Sequence, residues 1–536
     1  MRLRIIGFLP LAGVLLLTLL LRAWGLTWGL PSATHFFSYH PDESVVLEYA
    51  MGMNAFTGHL LPHFYRYGSL QLYLVNFANS LAFVFGAADI VPKPFAQWHD
   101  AWARLYLIGR VLTVGMGVGT VWATYALGLR LWGRRAGLLA AGLLAVTPLH
   151  AQQGHWLTVD VPAAFWGTLS LLCAAKALEP APGPAARRAV LWAGVLAGLA
   201  AATKYNMALM LAPVLAACLL IRRPAWMGVG LAAFAVAFVL ACPGCVLETA
   251  LFLSHVRAEA IHVSREPGPT FQGTGNGFAY LFLHTLSAGL GWPALLLALA
   301  AAVYAGYRRA PGDKLLAAFA VPYGIVISLA AVRYARYAVP LLPLLALWSG
   351  RLLADWSRAA RPAVRGAGIM AGAAAALLTA GYCAQIVRPM TQTDPRDGAL
   401  AWLRAHAPPA APIGFAAQPW FGTPPVSPYF TLPQPGGWRR FVSPADAARI
   451  VYNGTNWDAG LLRRVRPPYV LLSEYDYRDA LRLREPAALS YLNVLRQDYS
   501  PVKCAPEPST QDLPRHDLPH DMLYPNPYII IYQRRS

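Results

Sequence analysis

The sequence predicts a polytopic α-helical membrane protein of about eleven transmembrane helices, N-terminus inside and C-terminus outside, with a small extracytoplasmic α/β domain at its end. Three observations predict it. The 536 residues are 57% hydrophobic and only 13% charged, about half the charged share of a soluble domain. Apolar runs near the ~20-residue spanning length recur up to residue 386. Lys and Arg gather in every second connection between those runs, the pattern that topology imposes on cytoplasmic loops.

The N-terminal MRLRIIGFLPLAGVLLLTLLLRAWGL joins a basic start to an apolar body of roughly 17–20 residues. It lacks a small-x-small cleavage site and reads as a retained signal anchor, 5–24. Further spans follow near 103–128, 136–151, 161–178, 188–203, 206–221, 226–243, 278–305, 314–331, 337–354 and 364–386. With Arg2 and Arg4 inside, five further basic sets fall on the same face. These are Arg130, Arg134 and Arg135; Lys176, Arg187 and Arg188; Arg222 and Arg223; Arg308, Arg309 and Lys314; and Arg351, Arg358, Arg361 and Arg365. Much of the formal charge of +19 is therefore topology and not a nucleic-acid footprint.

One more run, GSLQLYLVNFANSLAFVFG (68–86), is long enough to cross, but crossing would put its flanking basic sets on opposite faces. It reads instead as a helix in the interface, with Tyr73, Asn76 and Asn79 toward water. The chain thus divides into a transmembrane catalytic part, 1–388, with 25–102 as its first outward loop, and an extracytoplasmic domain, 389–536. The latter alternates helix patterns (DGALAWLRAHAPP, DYRDALRLREP) with strand patterns (IGFAA, PPYVLLSEY, PYIIIYQ) and shows no catalytic motif. The pair Cys242 and Cys245 in CPGC follows an apolar run with no thioredoxin-like strand before it, so it reads as helix-end packing.

Sorting charges by side leaves an outward set. It holds Asp42, Glu43 and Asp160, the cations Arg66, Arg104, Lys204, Arg333 and Arg336, and His40, His59, His63 and His155. Ionisable groups at membrane depth are costly and mark polar cavities. Singly, several have plain accounts: Arg104 and Arg333 snorkel to the interface, Asp160 caps a helix ahead of Pro162, and His59 and His63 sit on a loop surface. Glu48, about a turn and a half beyond the HPDE stretch, reads as solvated. Together they fit group transfer from a lipid-linked phosphate to a hydroxyl. Cations take up the charge of the departing phosphate, and one carboxylate, Asp42 or Glu43, deprotonates the hydroxyl. His40, Asp42, Glu43 and His155 also offer N and O ligands, so a divalent metal ion is left open, although HPDE lacks the i, i+4 spacing of a helical zinc site.

These segments resemble a known family. HPDE just after the first helix is similar to the acidic first loop of GT-C glycosyltransferases. The 103–166 segment with GHWLTVDVP, GLAAATKYNMALMLAP (198–213) and RYARYAVPLLPLLALW (333–348) resemble glycosyltransferase family 39, which holds protein O-mannosyltransferases and bacterial aminoarabinose transferases. The resemblance covers about residues 1–350. It implies a GT-C fold in a bacterial cytoplasmic (inner) membrane, a polyprenyl-phosphate-linked sugar donor, and inverting transfer on the extracytoplasmic face. The implied acceptor is an envelope lipid, glycan or protein. It implies Asp42 as base with Glu43 beside it, and Asp160 near the acceptor. Lys204 and Arg336 would lie at the lipid phosphate, with Arg333 and Arg104 as further phosphate-side cations and His40, His155 and Arg66 around the cavity. His40, Glu43 and His155 are the metal candidates.

From the residues alone, two other classes stay open: a carrier or flippase for a lipid-linked saccharide, and a membrane scaffold. The one-sided acidic groups speak against a carrier, whose site belongs near the midplane. A scaffold leaves the outward charges without a task.

Overall fold

Helices follow the apolar runs. The computed structural model describes residues 2–54, 57–89, 95–178, 182–419, 421–426, 432–434, 437–439, 449–507 and 513–536. Among these, six helices are long and apolar enough to cross a membrane: His99–Trp132, Pro184–Thr203, Pro224–Ala241, Pro311–Leu329, Ala335–Trp356 and Pro362–His406. Four shorter apolar ones, Leu9–Ala23, Leu70–Val84, Tyr205–Leu220 and Gly277–Leu290, accompany them. The eleven expected spans are therefore revised to between six and ten. Two of them break for local reasons. The run 136–151 splits into Arg134–Ala145 and Pro148–Gln153, because Pro148 has no N–H to continue the ladder. The run 278–305 splits at Gly291, whose φ of 76° is open to glycine but strained for other residues.

Small residues set the helix spacing, as they do where lipid tails remove any hydrophobic drive between helices. Arg134–Ala145 lies against Leu342–Trp356 so closely that a Cβ on Gly350 would stand 2.6 Å from both Ala136 O and Ala140 N. Around this contact the core gathers Ala140, Leu144, Leu171, Ala193, Leu315 and Leu347. Arg351, read from the sequence as a loop cation, is instead buried and ion-paired with Asp313. Large apolar side chains such as Leu240, Val303 and Leu377 are three-quarters exposed around the bundle, a surface suited to hydrocarbon.

The run 68–86, read as lying in the interface, forms the helix Leu70–Val84, but its polar residues do not face water as expected. The Asn76 side-chain amide donates to Ala50 O and Met53 O, both at 2.9 Å, serving carbonyls left open at the end of the helix Pro41–Met51. Asn79 is fully buried.

The C-terminal part carries a mixed five-stranded sheet built from β1 (Ile413–Phe415), β4 (Ile450–Val451), β5 (Tyr469–Ser473), β6 (Tyr499–Ala505) and β7 (Ile529–Arg534), in the order β4-β1-β5-β7-β6. Strands β4, β1 and β5 run parallel, and β7 pairs antiparallel with both β5 and β6. A separate pair, β2 (Leu432–Gln434) and β3 (Gly437–Arg439), is antiparallel. The strands β1, β5 and β7 and the helices Pro395–His406 and Glu474–Arg482 fall where the patterns placed them. This part is tied to the first loop. The Trp28 indole donates to Asp394 Oδ2 at 3.0 Å and the Tyr39 hydroxyl to Asp397 Oδ1 at 2.6 Å. The buried Arg396 guanidinium stacks 3.8 Å over the Tyr39 ring.

Gly350→Ala should destabilise the chain by about 1–3 kcal/mol, the usual range for overpacking, and lower its unfolding temperature in detergent. Gly142→Ala, where a Cβ meets nothing within 4 Å, should not. Equal melting of the two variants would refute close packing at Gly350.

Candidate active site

A cavity of about 740 Å³ opens between the helix Pro41–Met51, the turn 158–160, the Lys204–Asn206 break, the helix Thr249–Arg265 and the stretch Tyr334–Tyr337. Asp42 reaches it from the first turn of Pro41–Met51. That helix starts sharply because Pro41 holds its first position and the His40 Nδ1 accepts the Asp42 N–H at 3.3 Å. Both carboxylates sit at the positive end of the helix dipole. Adjacent helical residues point about 100° apart, so the two cannot share a face. Asp42 turns to the cavity and Glu43 turns into the protein.

Glu43 is fully buried and saturated. Arg110 grips it with Nε to Oε1 and Nη2 to Oε2, each at 2.7 Å. The Ser38 hydroxyl donates to Oε2 at 2.5 Å and the Leu157 N–H to Oε1 at 2.7 Å. Arg110 Nη1 donates in turn to Leu26 O and Trp28 O, both at 2.7 Å. Glu43, expected beside the base as a chemical group, thus clamps the first loop to the turn at 157 and to the helix Phe95–Trp132. The sequence reading passed over Arg110 as part of an apolar span.

The cations stand at helix breaks. Lys204, in extended backbone between Pro184–Thr203 and a 3-10 turn, places Nζ 2.5 Å from Asp160 Oδ1 and 4.5 Å from the Tyr337 ring centre. Asp160 therefore bonds to Lys204, with no side-chain cap bond to its own helix. Arg336 lies in the 3-10 turn Ala335–Leu341. Its Nη2 is 3.1 Å from Asp42 Oδ2, its Nη1 is 3.6 Å from Asp521 Oδ2, and the group stacks 3.9 Å over Tyr334. Arg66 also lines the cavity.

The remaining expected residues stand elsewhere. Arg333 bonds Thr274 Oγ1 and Gly275 O, each at 2.9 Å, outside the cavity. Arg104 is exposed, its Nε donating to its own helix's Asp100 O at 3.4 Å. His40 is buried against Trp156 and Tyr524, with ring centres 4.4 and 4.7 Å away, and burial pushes it well below its ordinary pKa. His155 spans Ala151 O at 2.8 Å and Trp24 O at 3.0 Å, and burial pushes it down to about 4. Neither ring lines the cavity. Among the described residues no three His, Cys, Asp or Glu side chains are placed to hold a metal ion. His40, Glu43 and His155 do not form such a set, since Glu43 is spent on Arg110.

Several lining residues went unread. Glu48, expected in solvent, lines the cavity, and burial pushes its carboxyl up to about 8. His255, Glu259 and His262 line it from one helix. Their spacing of four and three is the repeat of a helix face, a signal available in SHVRAEAIHV. Burial also raises Glu259. Tyr67, Tyr334 and Tyr337 line the cavity as well.

Residues 107–246 match the protein-family model described as dolichyl-phosphate-mannose-protein mannosyltransferase; Asp160 and Lys204 fall within the match. No curated protein matches the chain. Similar solved structures include ArnT from Cupriavidus metallidurans bound to undecaprenyl phosphate, with TM-score 0.54 and 14% identity over 98% of this chain and 97% of that one. The apo state of the same protein gives 0.54 at 14% identity over 99% and 98%. The apo oligosaccharyltransferase of Archaeoglobus fulgidus gives 0.50 at 14% identity over 94% and 74%. The likeness to these structures is one of fold.

Glu43→Gln leaves the buried Arg110 charge without its counter-charge, a loss of roughly 3–5 kcal/mol. It should therefore lower the unfolding temperature well below that of Asp42→Asn; the reverse order would refute the clamp. Glu48 carries a distinct pH signature. An unfolded chain releases this proton near 4.5 and the folded one near 8, so ionisation opposes folding increasingly as pH rises between those values. The stability of Glu48→Gln relative to wild type should therefore climb from pH 5 to pH 8 in thermal melts. A flat difference would show that Glu48 titrates as a solvated acid.

Proposed function

We propose that this chain is a polyprenyl-phosphate-sugar-dependent glycosyltransferase, an inverting enzyme that moves a sugar from the lipid phosphate to a hydroxyl acceptor, with Asp42 as base. The observation that carries the reading is that Asp42, Lys204 and Arg336, far apart in sequence, face one cavity. In the reaction the acceptor oxygen attacks the anomeric carbon from the face opposite the phosphate. Its proton passes to an Asp42 Oδ, and the anomeric C–O bond breaks with its electron pair going to the phosphate oxygen. Phosphate leaves readily, so no general acid is needed. Lys204 and Arg336 neutralise the charge as it grows, in a walled site where such contacts count for more than in water. The carboxylate removes the proton as the new bond forms. Inversion requires base and leaving group on opposite sides of the ring, and a cavity of about 740 Å³ has room for a sugar between them.

Asp160, bound to Lys204, and Arg66 border the substrates. Residues 1–388 form the catalytic part and 389–536 an outward domain, in a bacterial inner membrane with the cavity on the extracytoplasmic side. The alternation of basic sets supports that orientation. The acceptor is an envelope lipid, glycan or protein.

The test is to incubate purified protein with candidate polyprenyl-phosphate sugars and follow released polyprenyl phosphate by mass spectrometry. Asp42→Asn should cut turnover at least about 100-fold, the span of general-base effects, while still binding donor. Full activity in that variant would remove Asp42 as base. Net translocation of donor in sealed vesicles, without a new glycosidic bond, would point to a carrier instead.

A further inference from the structure

Arg336 is held by a residue from the other end of the chain. The segment His520–Tyr524, with its short turn His520–Met522, leaves the C-terminal part and packs into the wall of the helix bundle. Gln152 Nε2 donates to Met522 O at 3.0 Å. Tyr524 meets the His40 ring, and its own ring lies 5.9 Å from Trp156. At the centre stands Asp521, fully buried. Its Oδ1 accepts the Ala335 N–H at 2.9 Å and its Oδ2 the Arg336 N–H at 3.0 Å. These are opening donors of the 3-10 turn Ala335–Leu341, which no preceding turn can satisfy. The same Oδ2 lies 3.6 Å from Arg336 Nη1. One carboxylate thus fixes both the backbone and one edge of the guanidinium.

The guanidinium is shared. Nη2 goes to Asp42, the candidate base, while Nη1 is buried and has no hydrogen-bond partner among the described residues. A buried donor without an acceptor is costly. The same guanidinium lines the cavity, where an oxygen-rich anion would meet the edge that now faces Asp42. A guanidinium that neutralises the phosphate must also cease to be reserved for the base, because base and leaving group lie on opposite sides of the sugar.

Building on the donor reading above, we infer that Asp521 is a positioning residue for the donor phosphate: it anchors Arg336 so that the guanidinium exchanges Asp42 for phosphate oxygens without leaving its place. Two consequences follow. The C-terminal part completes the transferase site through Asp521. Donor binding also uncovers the base, because the phosphate competes with Asp42 for the same cation, so Asp42 is free to take a proton only once a donor is in place.

A staple that merely joins two parts of the chain would act on stability alone, so the test reads affinity. Binding of a polyprenyl phosphate to the full chain in nanodiscs is measured for wild type, Asp521→Asn, Arg336→Gln and the double variant. Asp521→Asn should weaken binding about tenfold and Arg336→Gln by at least as much. The double variant should be no weaker than Arg336→Gln within about twofold, because the two act through one contact. Wild-type affinity in Asp521→Asn, or losses that multiply in the double variant, would overturn the inference. If Asp521→Asn is not recovered folded, Asp521→Glu replaces it, keeping the charge but moving the carboxylate by one methylene. A donor affinity in that variant equal to wild type would overturn the inference equally. Absence of binding by the wild-type chain would instead overturn the donor reading, and this inference with it.

Discussion

The site depends on the ion pair between Glu43 and Arg110. Taking a carboxylate and a guanidinium out of water is costly, and their attraction repays it only when the geometry is good and every remaining donor and acceptor is satisfied. Here both conditions hold. The pair is a two-pronged fork, the geometry that makes Arg–carboxylate contacts strong. The spare lone pairs take Ser38 and Leu157, and the spare donor takes Leu26 and Trp28. Four chain segments therefore converge on one charge pair. Because consecutive helical residues diverge by about 100°, fixing Glu43 inward fixes Asp42 outward. The acidic pair is thus two devices in one turn, a fastener and a candidate base.

The second constraint is the cost of broken helix in a membrane-spanning chain. Irregular backbone at depth is tolerated where it is buried in protein or lines a polar space, and both inner cations occupy such breaks. Lys204 stands where one helix stops and a 3-10 turn begins, and Arg336 opens another 3-10 turn. A continuous helix would carry these side chains along its wall; a break lets each project from a helix end into the cavity. The Arg336 break is made affordable by Asp521, which receives its N–H groups. Tight packing elsewhere, as at Gly350, keeps the frame stiff enough for such breaks to hold their geometry.

How far this was legible in the sequence follows from how local each cause is. Apolar runs are local, so the helices could be read, apart from the breaks at Pro148 and Gly291. Asp42, Asp160, Lys204, Arg336 and Arg66 were legible because ionisable groups at the ends of apolar spans need a reason. The fate of Glu43 was not, since its partner Arg110 lies 67 residues away inside a run that reads as an apolar span. Asp521 acts on Arg336 across 185 residues, from a region whose pattern announces only strands and helices. Glu48 was misread because exposure is a property of the cavity wall and not of the residue. Asn76 turned inward for a similar reason, since it serves carbonyls of a helix that precedes it.

Charge balance in the cavity connects these pieces. Each inner cation is matched by a carboxylate, Lys204 by Asp160 and Arg336 by Asp42 and Asp521, so neither is an uncompensated charge in a low-dielectric wall. A phosphate entering that wall brings negative charge that the existing pairs have already answered. At Lys204 or Arg336 it gains a cation by displacing a carboxylate. Asp160 and Asp42 can yield because both line the cavity, where water or substrate can receive them. Asp521 cannot, because it is buried and bonded to backbone. The asymmetry between the two partners of Arg336 therefore sets which one gives way. The carboxylate released is Asp42, the one that the proposed chemistry needs as a base.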